Sequence, residues 1–256
     1  MTRFTDKVAL VVGAASGIGL ETVRIMAEEG GTVVGVDLNP APLDTLASKM
    51  PKISGNIETK TANALDEADT KRVVESILAK HNRIDILVNA VGGSTVIPNS
   101  STLIDDMTLE EWQSLVHFNL TGTFLYCNAV VPAMKAQGGG KIVNISSIAG
   151  RGLGTVSSSA YAAAKGGIIS LTRKLSIELG PFNINCNAIA PGPTMTDRIK
   201  AVWEKRSDEE RAHTLTNIPL GRLPYAEDQA RVICFLASRD ADFVSGTTID
   251  VAGGQR

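Results

Sequence analysis

Histidine and cysteine are both scarce in this chain, with three of each in 256 residues. His81, His117 and His213 lie far apart, and none falls in a frame such as H-E-x-x-H, so no zinc centre is expected. Cys127, Cys186 and Cys234 are just as scattered; an odd, dispersed set builds neither a disulfide framework nor a C-x-x-C metal site. They read as buried apolar fillers in a reducing cytoplasm. A long basic run is missing too, and the net charge is −2, which argues against nucleic acid or an anionic membrane surface as a partner. No apolar run approaches the roughly 20 residues needed to cross a bilayer. The start, MTRFTDKVALVVG, lacks a signal peptide's cleavage pattern. Linkers, repeats and low-complexity tracts are absent as well, so residues 1–256 read as one domain.

What is present is an ordinary globular composition, 43% apolar and 20% charged. Short β-branched runs at 7–12, 32–36, 57–62, 84–90, 141–145, 185–189 and 247–251 read as strands. Helical patterns at 17–29, 66–80, 108–137, 158–179 and 225–237 fall between them. Strands that are mostly apolar and separated by helices imply a parallel sheet covered on both faces. The expected fold class is therefore α/β, a single-domain, Rossmann-like, doubly wound parallel sheet of about seven strands. The longest irregular stretch is 190–221, broken by Pro191, Pro193 and Pro219, and long loops in compact domains are usually functional or mobile.

After the first strand comes Gly13-Ala14-Ala15-Ser16-Gly17-Ile18-Gly19, a spacing of G-x-x-x-G-x-G. Glycines there let the chain turn tightly and bring backbone N–H groups to a pyrophosphate at a helix N-terminus. The second strand runs into Asp37, 18 residues after Gly19, where a dinucleotide fold places an acid on the adenosine ribose 2′-OH. A carboxylate repels a 2′-phosphate, and no Arg or Lys occurs in 14–19 or directly after Asp37 to hold one. NAD(H) is favoured over NADP(H). Further on, AYAAAKGG sets Tyr161 and Lys165 four residues apart, on one face of a helix.

Together these residues resemble the short-chain dehydrogenase/reductase family over essentially the whole chain. Gly13-x-x-x-Gly17-Ile18-Gly19 is similar to its TGxxxGIG turn, and Tyr161-x-x-x-Lys165 to its YxxxK motif. Ser147 in IVNISSIAG, Asn119 in HFNLTGTF, and Pro191, Gly192 and Thr196 in NAIAPGPTMTD match further family motifs in order. The resemblance implies an oxidoreductase moving hydride between NAD(H) and a secondary alcohol or ketone. In it Tyr161 is the general acid/base, Lys165 stabilises the phenolate and bonds the nicotinamide ribose, Ser147 holds the substrate oxygen and Asn119 anchors a water that relays protons.

The same resemblance implies cofactor contacts from Gly13, Ser16, Gly17, Ile18 and Gly19, and from Asp37 and Leu38. It adds Asn63 and Ala64, then Asn89, Ala90 and Val91, the Tyr161–Lys165 pair, and Pro191, Gly192, Thr194 and Thr196. Backbone at Asn89 and Thr194 is expected at the adenosine ribose and the carboxamide respectively, with Thr196 near the phosphates. A substrate-loop insertion at about 193–220 implies a lid over 195–218, and the family commonly forms homotetramers through the helical regions 108–137 and 158–179.

Departures from the family pattern are specific. Val12 replaces a threonine and Ala252 an aspartate; Asn63 stands for an aspartate at the adenine. Asn89-Ala90-Val91-Gly92 replaces NNAG, leaving one side-chain hydrogen bond of the central sheet open, and the Ser147–Tyr161 gap of 14 is one longer than common. Competing functions are a 3-oxoacyl-thioester reductase using NADPH, which Asp37 opposes, and a non-catalytic nucleotide-binding regulator, which would not need all four catalytic positions. A serine hydrolase is poorest, since no histidine accompanies Ser147 and no G-x-S-x-G elbow surrounds it.

Overall fold

The computed structural model describes residues 2–50, 53–153 and 157–255. Their framework is a parallel sheet of β1 (Val8–Val12), β2 (Thr32–Asp37), β3 (Asn56–Thr61), β4 (Ile86–Asn89), β5 (Gly140–Ile145), β6 (Ile184–Pro191) and β7 (Thr248–Val251). The spatial order is β3-β2-β1-β4-β5-β6-β7. Connections therefore leave β1 in one direction toward β3 and in the other toward β7, and the crevice opens between β1 and β4 at the strands' C-terminal ends.

Alternation along each strand divides two cores. Ala9 and Val11 of β1 join a cluster with Val23 and Met26 of α1 (Gly17–Glu28) and Ile233 of a helix at Ala226–Ala237. Val8, Leu10 and Val12 face the other way, toward Val73 and Ile77 of a helix at Glu67–His81 and Tyr126 and Met134 of one at Gly122–Gln137. A period of two puts successive side chains on opposite faces, so a strand buried on both must be apolar throughout. β3 reads NIETKT and lies at the sheet's edge, where polar residues block pairing with another chain.

Helices α2 (Ala41–Lys49), α3 (Glu67–His81), α4 (Leu109–Val116), α5 (Gly122–Gln137), α6 (Ser159–Leu179), α7 (Asp197–Trp203), α8 (Asp208–Thr216) and α9 (Ala226–Ala237) complete the chain. They depart from expectation in three regions. The helical region 108–137 is broken by a π-helical turn, His117–Thr121, between α4 and α5. The stretch 190–221 is not irregular but carries α7 and α8; a Ser207–Glu210 capping box starts α8. α2, with only Leu43 fully buried, gives too weak an apolar stripe to read from sequence.

Between β4, β5 and α6 runs a buried polar chain. Asn89 Nδ2 donates to Asn144 Oδ1 at 2.9 Å, and Asn144 Nδ2 to Thr172 Oγ1 at 3.0 Å. Asn89 and Asn144 are register partners, so the asparagine that NAVG retains bonds within the central sheet, while Ala90 has no side-chain amide to add a second bond.

Candidate active site

The turn after β1 shows why its glycines stand where they do. Gly13 and Ala14 both donate to the Val36 carbonyl, at 2.8 and 3.1 Å, folding the chain back across the strand ends. A Cβ on Gly19 would lie 2.1 Å from the Gly13 carbonyl oxygen, so any larger residue would push the turn off α1. Gly17 has φ +51°, and a Cβ there would meet Thr196 Cγ2 at 2.9 Å. Thr196 thus lies directly over the turn. Ser16 precedes α1 without a side-chain cap, which leaves the first-turn N–H groups for an anion.

Asp37 ends β2 beside this turn, its Oδ2 accepting the Ala15 N–H at 3.0 Å. One carboxylate thus tightens the glycine turn and keeps lone pairs for a diol. Leu38 next to it is exposed. Ala90 donates to the Val12 carbonyl at 2.8 Å, and a Cβ on Gly13 would come within 2.7 Å of the Val91 nitrogen, so the β4 end lies against the glycine turn. Asn63 Oδ1 accepts the Leu65 N–H at 3.1 Å, which orients its amide and leaves a second lone pair on that oxygen.

The catalytic candidates gather at the ends of β4 and β5. Ser158 caps α6 by accepting the Tyr161 N–H at 3.4 Å, and the Tyr161 ring packs on Ile97, Leu115 and Ala160. One turn on, Lys165 is 2% exposed, and its Nζ lies 5.8 Å from the Tyr161 ring centre. That Nζ donates to the Ile145 carbonyl at 2.8 Å, while Ser146 Oγ donates to the Lys165 carbonyl at 2.8 Å. Lys165 is therefore tied in both directions to the strand end that presents Ser147. Ser147 Oγ accepts the Ala149 N–H at 3.2 Å, capping a short 3₁₀ turn, Ile148–Arg151. Arg151 then clips the turn to β7 through Asp250 and the Thr248 carbonyl. Residues 154–156 of the longer Ser147–Tyr161 connection lie outside the described residues.

Burial lowers the Lys165 pKa from 10.5 to about 7, because the ammonium gives up water that nothing charged replaces. Asn119 sits in the π turn, fully buried. Its Oδ1 accepts the Gly93 N–H at 2.9 Å, and its Nδ2 donates to Gly93 O at 3.0 Å and Leu115 O at 2.9 Å. Both amide hydrogens are thus committed to protein, and only a second lone pair on Oδ1 remains for solvent. A Cβ on Gly92 would lie 2.7 Å from both Asn119 Oδ1 and Lys165 Nζ, so the two side chains close around that residue.

On the opposite rim, Pro191 ends β6 against Val251, and Gly192 backs onto Ala252. Thr194 is buried, its Oγ1 donating to the Gly192 carbonyl at 3.0 Å. Beyond it α7 and α8 are tied together. Arg211 donates to the Trp203 and Glu204 carbonyls at the end of α7, and Arg206 to Thr214 Oγ1. The side chain of Arg198 lies outside the described residues. A cavity of ≈ 190 Å³ under the pair is lined mainly by Met195, Trp203, Leu215, Leu223 and Tyr225. Sequence reasoning missed Ser146 and Arg151, since a serine and an arginine beside a motif carry no signal of what they bond.

A glycine cradle at a topological switch point, with an acid at the next strand end, fits a dinucleotide. Beside it a buried lysine lies one helical turn from a tyrosine. These features define a nucleotide-dependent oxidoreductase. Comparison with known proteins agrees: residues 13–256 match a family model described as enoyl-(acyl carrier protein) reductase. The chain is 38% identical over 252 residues to the 3-oxoacyl-[acyl-carrier-protein] reductase FabG of Thermotoga maritima, covering 98% of each. It is 34% identical to the 7alpha-hydroxysteroid dehydrogenase of Bacteroides fragilis, covering 99% of this chain and 96% of that one. A solved short-chain type dehydrogenase/reductase from Mycobacterium ulcerans superposes with a TM-score of 0.90 at 32% identity, covering 98% of this chain and 90% of that one. The chain belongs to the short-chain dehydrogenase/reductase family, and is an oxidoreductase acting between CH–OH and ketone with a nicotinamide cofactor. Among the described residues no helix is long and apolar enough to cross a membrane.

Proposed function

We propose that this chain is an NAD(H)-dependent dehydrogenase/reductase of secondary alcohols and ketones, with Tyr161, Lys165, Ser147 and Asn119 as its working residues. The observation that carries the reading is Lys165, buried one helical turn from Tyr161 and bonded to the strand end that bears Ser147. A bound nicotinamide ring supplies or accepts the hydride at the substrate carbon.

The protein handles the proton. Tyr161 donates it to the substrate oxygen in reduction and withdraws it in oxidation. A phenol's ordinary pKa near ~10 makes it a poor base at neutral pH, so it needs a neighbouring positive charge. Lys165 supplies that charge when protonated, and in its dry surroundings the attraction is stronger than in water. Ser147 orients the same oxygen and polarises the carbonyl. Asn119 holds the 92–93 backbone against Lys165 through its bonds to Gly93, which keeps the ammonium on the Tyr161 side.

Asp37 supports NAD(H) over NADP(H), because its carboxylate accepts from a ribose diol and repels a 2′-phosphate. Gly13, Gly17, Gly19, Ala90, Val91 and Thr196 would hold the diphosphate and adenosine half, and Thr194 the carboxamide. The three free, buried cysteines suit a reducing, cytoplasmic compartment. Trp112, Phe124 and Ile177 are exposed on α4, α5 and α6, which supports a tetramer built through these helices. Light scattering at a monomer mass would refute that assembly.

A second reading, a 3-oxoacyl-thioester reductase using NADPH, is favoured by the similarity to the Thermotoga maritima protein. Initial rates with NADH and NADPH, on a panel of simple ketones and on acetoacetyl thioesters, decide between them. Faster turnover with NADH on ketones is expected, and an NADPH preference refutes the cofactor assignment.

A further inference from the structure

Gln229 of α9 is 0% exposed. Its Nε2 donates to the Val251 carbonyl at 2.8 Å and to Thr194 Oγ1 at 3.3 Å, while its Oε1 meets no donor among the described residues. A buried amide with an idle acceptor is a poor packing residue, since an unpaired buried acceptor is destabilising. An aliphatic side chain would fill the same space without that cost. What only an amide provides here is two N–H groups aimed at different elements. One grips the end of β7 and the other the loop that leaves β6.

That second bond falls at a decisive place. The loop is otherwise held near this point by Gly192 N–H to the Val251 carbonyl at 3.3 Å and Met195 N–H to the Pro224 carbonyl at 2.7 Å. Thr194 lies between these anchors, and its hydroxyl links them: it donates to the Gly192 carbonyl and accepts from Gln229. Gln255 Oε1, also buried and without a donor among the described residues, comes within 3.3 Å of where a Cβ on Gly192 would sit. Two idle amide oxygens thus lie near this loop.

We infer that Gln229 is a positioning residue for the cofactor: through Thr194 it fixes the loop that takes the nicotinamide carboxamide, and so sets the affinity for NAD(H). The inference rests on the proposed cofactor site. Gln229→Met keeps the side-chain length and removes both donors; Thr194→Val removes the hydroxyl, and Thr194→Ser retains it.

NADH binding is read by fluorescence titration, and folding by melting temperature without NADH. Gln229→Met and Thr194→Val are each expected to weaken NADH binding about tenfold. The double variant should be no weaker than either single one, because both changes break the same link. Thr194→Ser should bind like wild type. If Gln229→Met does not fold, Gln229→Leu, which also lacks both donors, takes its place with the same expected loss. The inference is overturned if Gln229→Met binds NADH within twofold of wild type while melting lower, if the two single effects add, or if Thr194→Ser binds as weakly as Thr194→Val. Wild-type protein that binds no NADH overturns the cofactor reading and this inference with it; wild-type binding with unaffected variants overturns only the inference.

Discussion

Replacing Lys165 with methionine probes the electrostatics of the site without any ligand. Burial brings the ammonium's pKa from 10.5 down to about 7 in the folded protein. Between those two values the unfolded chain binds a proton that the native protein does not, so stability rises with pH across that window. Below about pH 7 both states are protonated and the slope vanishes. From about pH 7 to about pH 8.5 the single group contributes on the order of 1.5 kcal/mol.

Methionine has similar length and no charge, so the variant loses this slope. It also loses the bond to the Ile145 carbonyl, about 1 kcal/mol that does not vary with pH. Cysteine bends each single curve at high pH. Burial pushes the Cys127 and Cys234 thiols from 9.0 up to about 12, so near pH 9 the unfolded chain sheds protons that the native state keeps. That lowers stability as pH rises further. Urea unfolding of wild type and Lys165→Met at several pH values within the window, compared as a difference, cancels every other titrating group. A wild-type curve that climbs relative to a flatter variant is expected. Parallel curves, within about 0.5 kcal/mol, would mean that Lys165 keeps its proton in the folded state and that the burial argument fails.

Tyr161→Phe keeps the ring against Ile97, Leu115 and Ala160, so it should fold. Its turnover should fall more than about tenfold, over ~1.4 kcal/mol, and a smaller loss would remove Tyr161 from the proton step. Gly19→Ala puts a methyl 2.1 Å from the Gly13 carbonyl oxygen; NADH titration should show binding weakened by at least about tenfold, and unchanged affinity would mean the turn is not the diphosphate site. Asn144→Leu strips partners from Asn89 Nδ2 and Thr172 Oγ1 in a dry layer and should cost about 2–4 kcal/mol in a denaturant titration. A loss under about 1 kcal/mol would mean this polar chain does not hold β4, β5 and α6 together.

The strands were legible because burial on both faces forces apolar runs, as in VALVV of β1. The glycine turn and the Tyr161–Lys165 pair were legible because they are local: one is a turn between a strand and a helix, the other a single helical turn. Elements under two residues' error at each end, such as α6 and β7, follow the same logic. The π turn at His117–Thr121 was not legible, since HFNLT has no pattern that distinguishes five residues per hydrogen-bonded turn from four. α7 and α8 could not be bounded from sequence because their partly exposed, charged residues form no apolar stripe and because prolines bracket them. The side-chain chain through Asn89, Asn144 and Thr172 was invisible because its members lie 55 and 28 residues apart.

Sequence alone therefore determined the layered fold, the glycine turn after β1, the acid at Asp37 and the one-turn spacing of Tyr161 and Lys165, since each follows from spacing within one or two adjacent elements. Only the tertiary structure decided what those groups experience. It is the packing of α6 on the end of β5 that dries Lys165, and the return of the chain at Ser146 and Ile145 that ties it beside Ser147. It is likewise the meeting of α9, β7 and the loop after β6 that gives Gln229 its two carriers of position. Desolvation and long-range hydrogen bonds depend on which distant segments meet, and no local pattern encodes that.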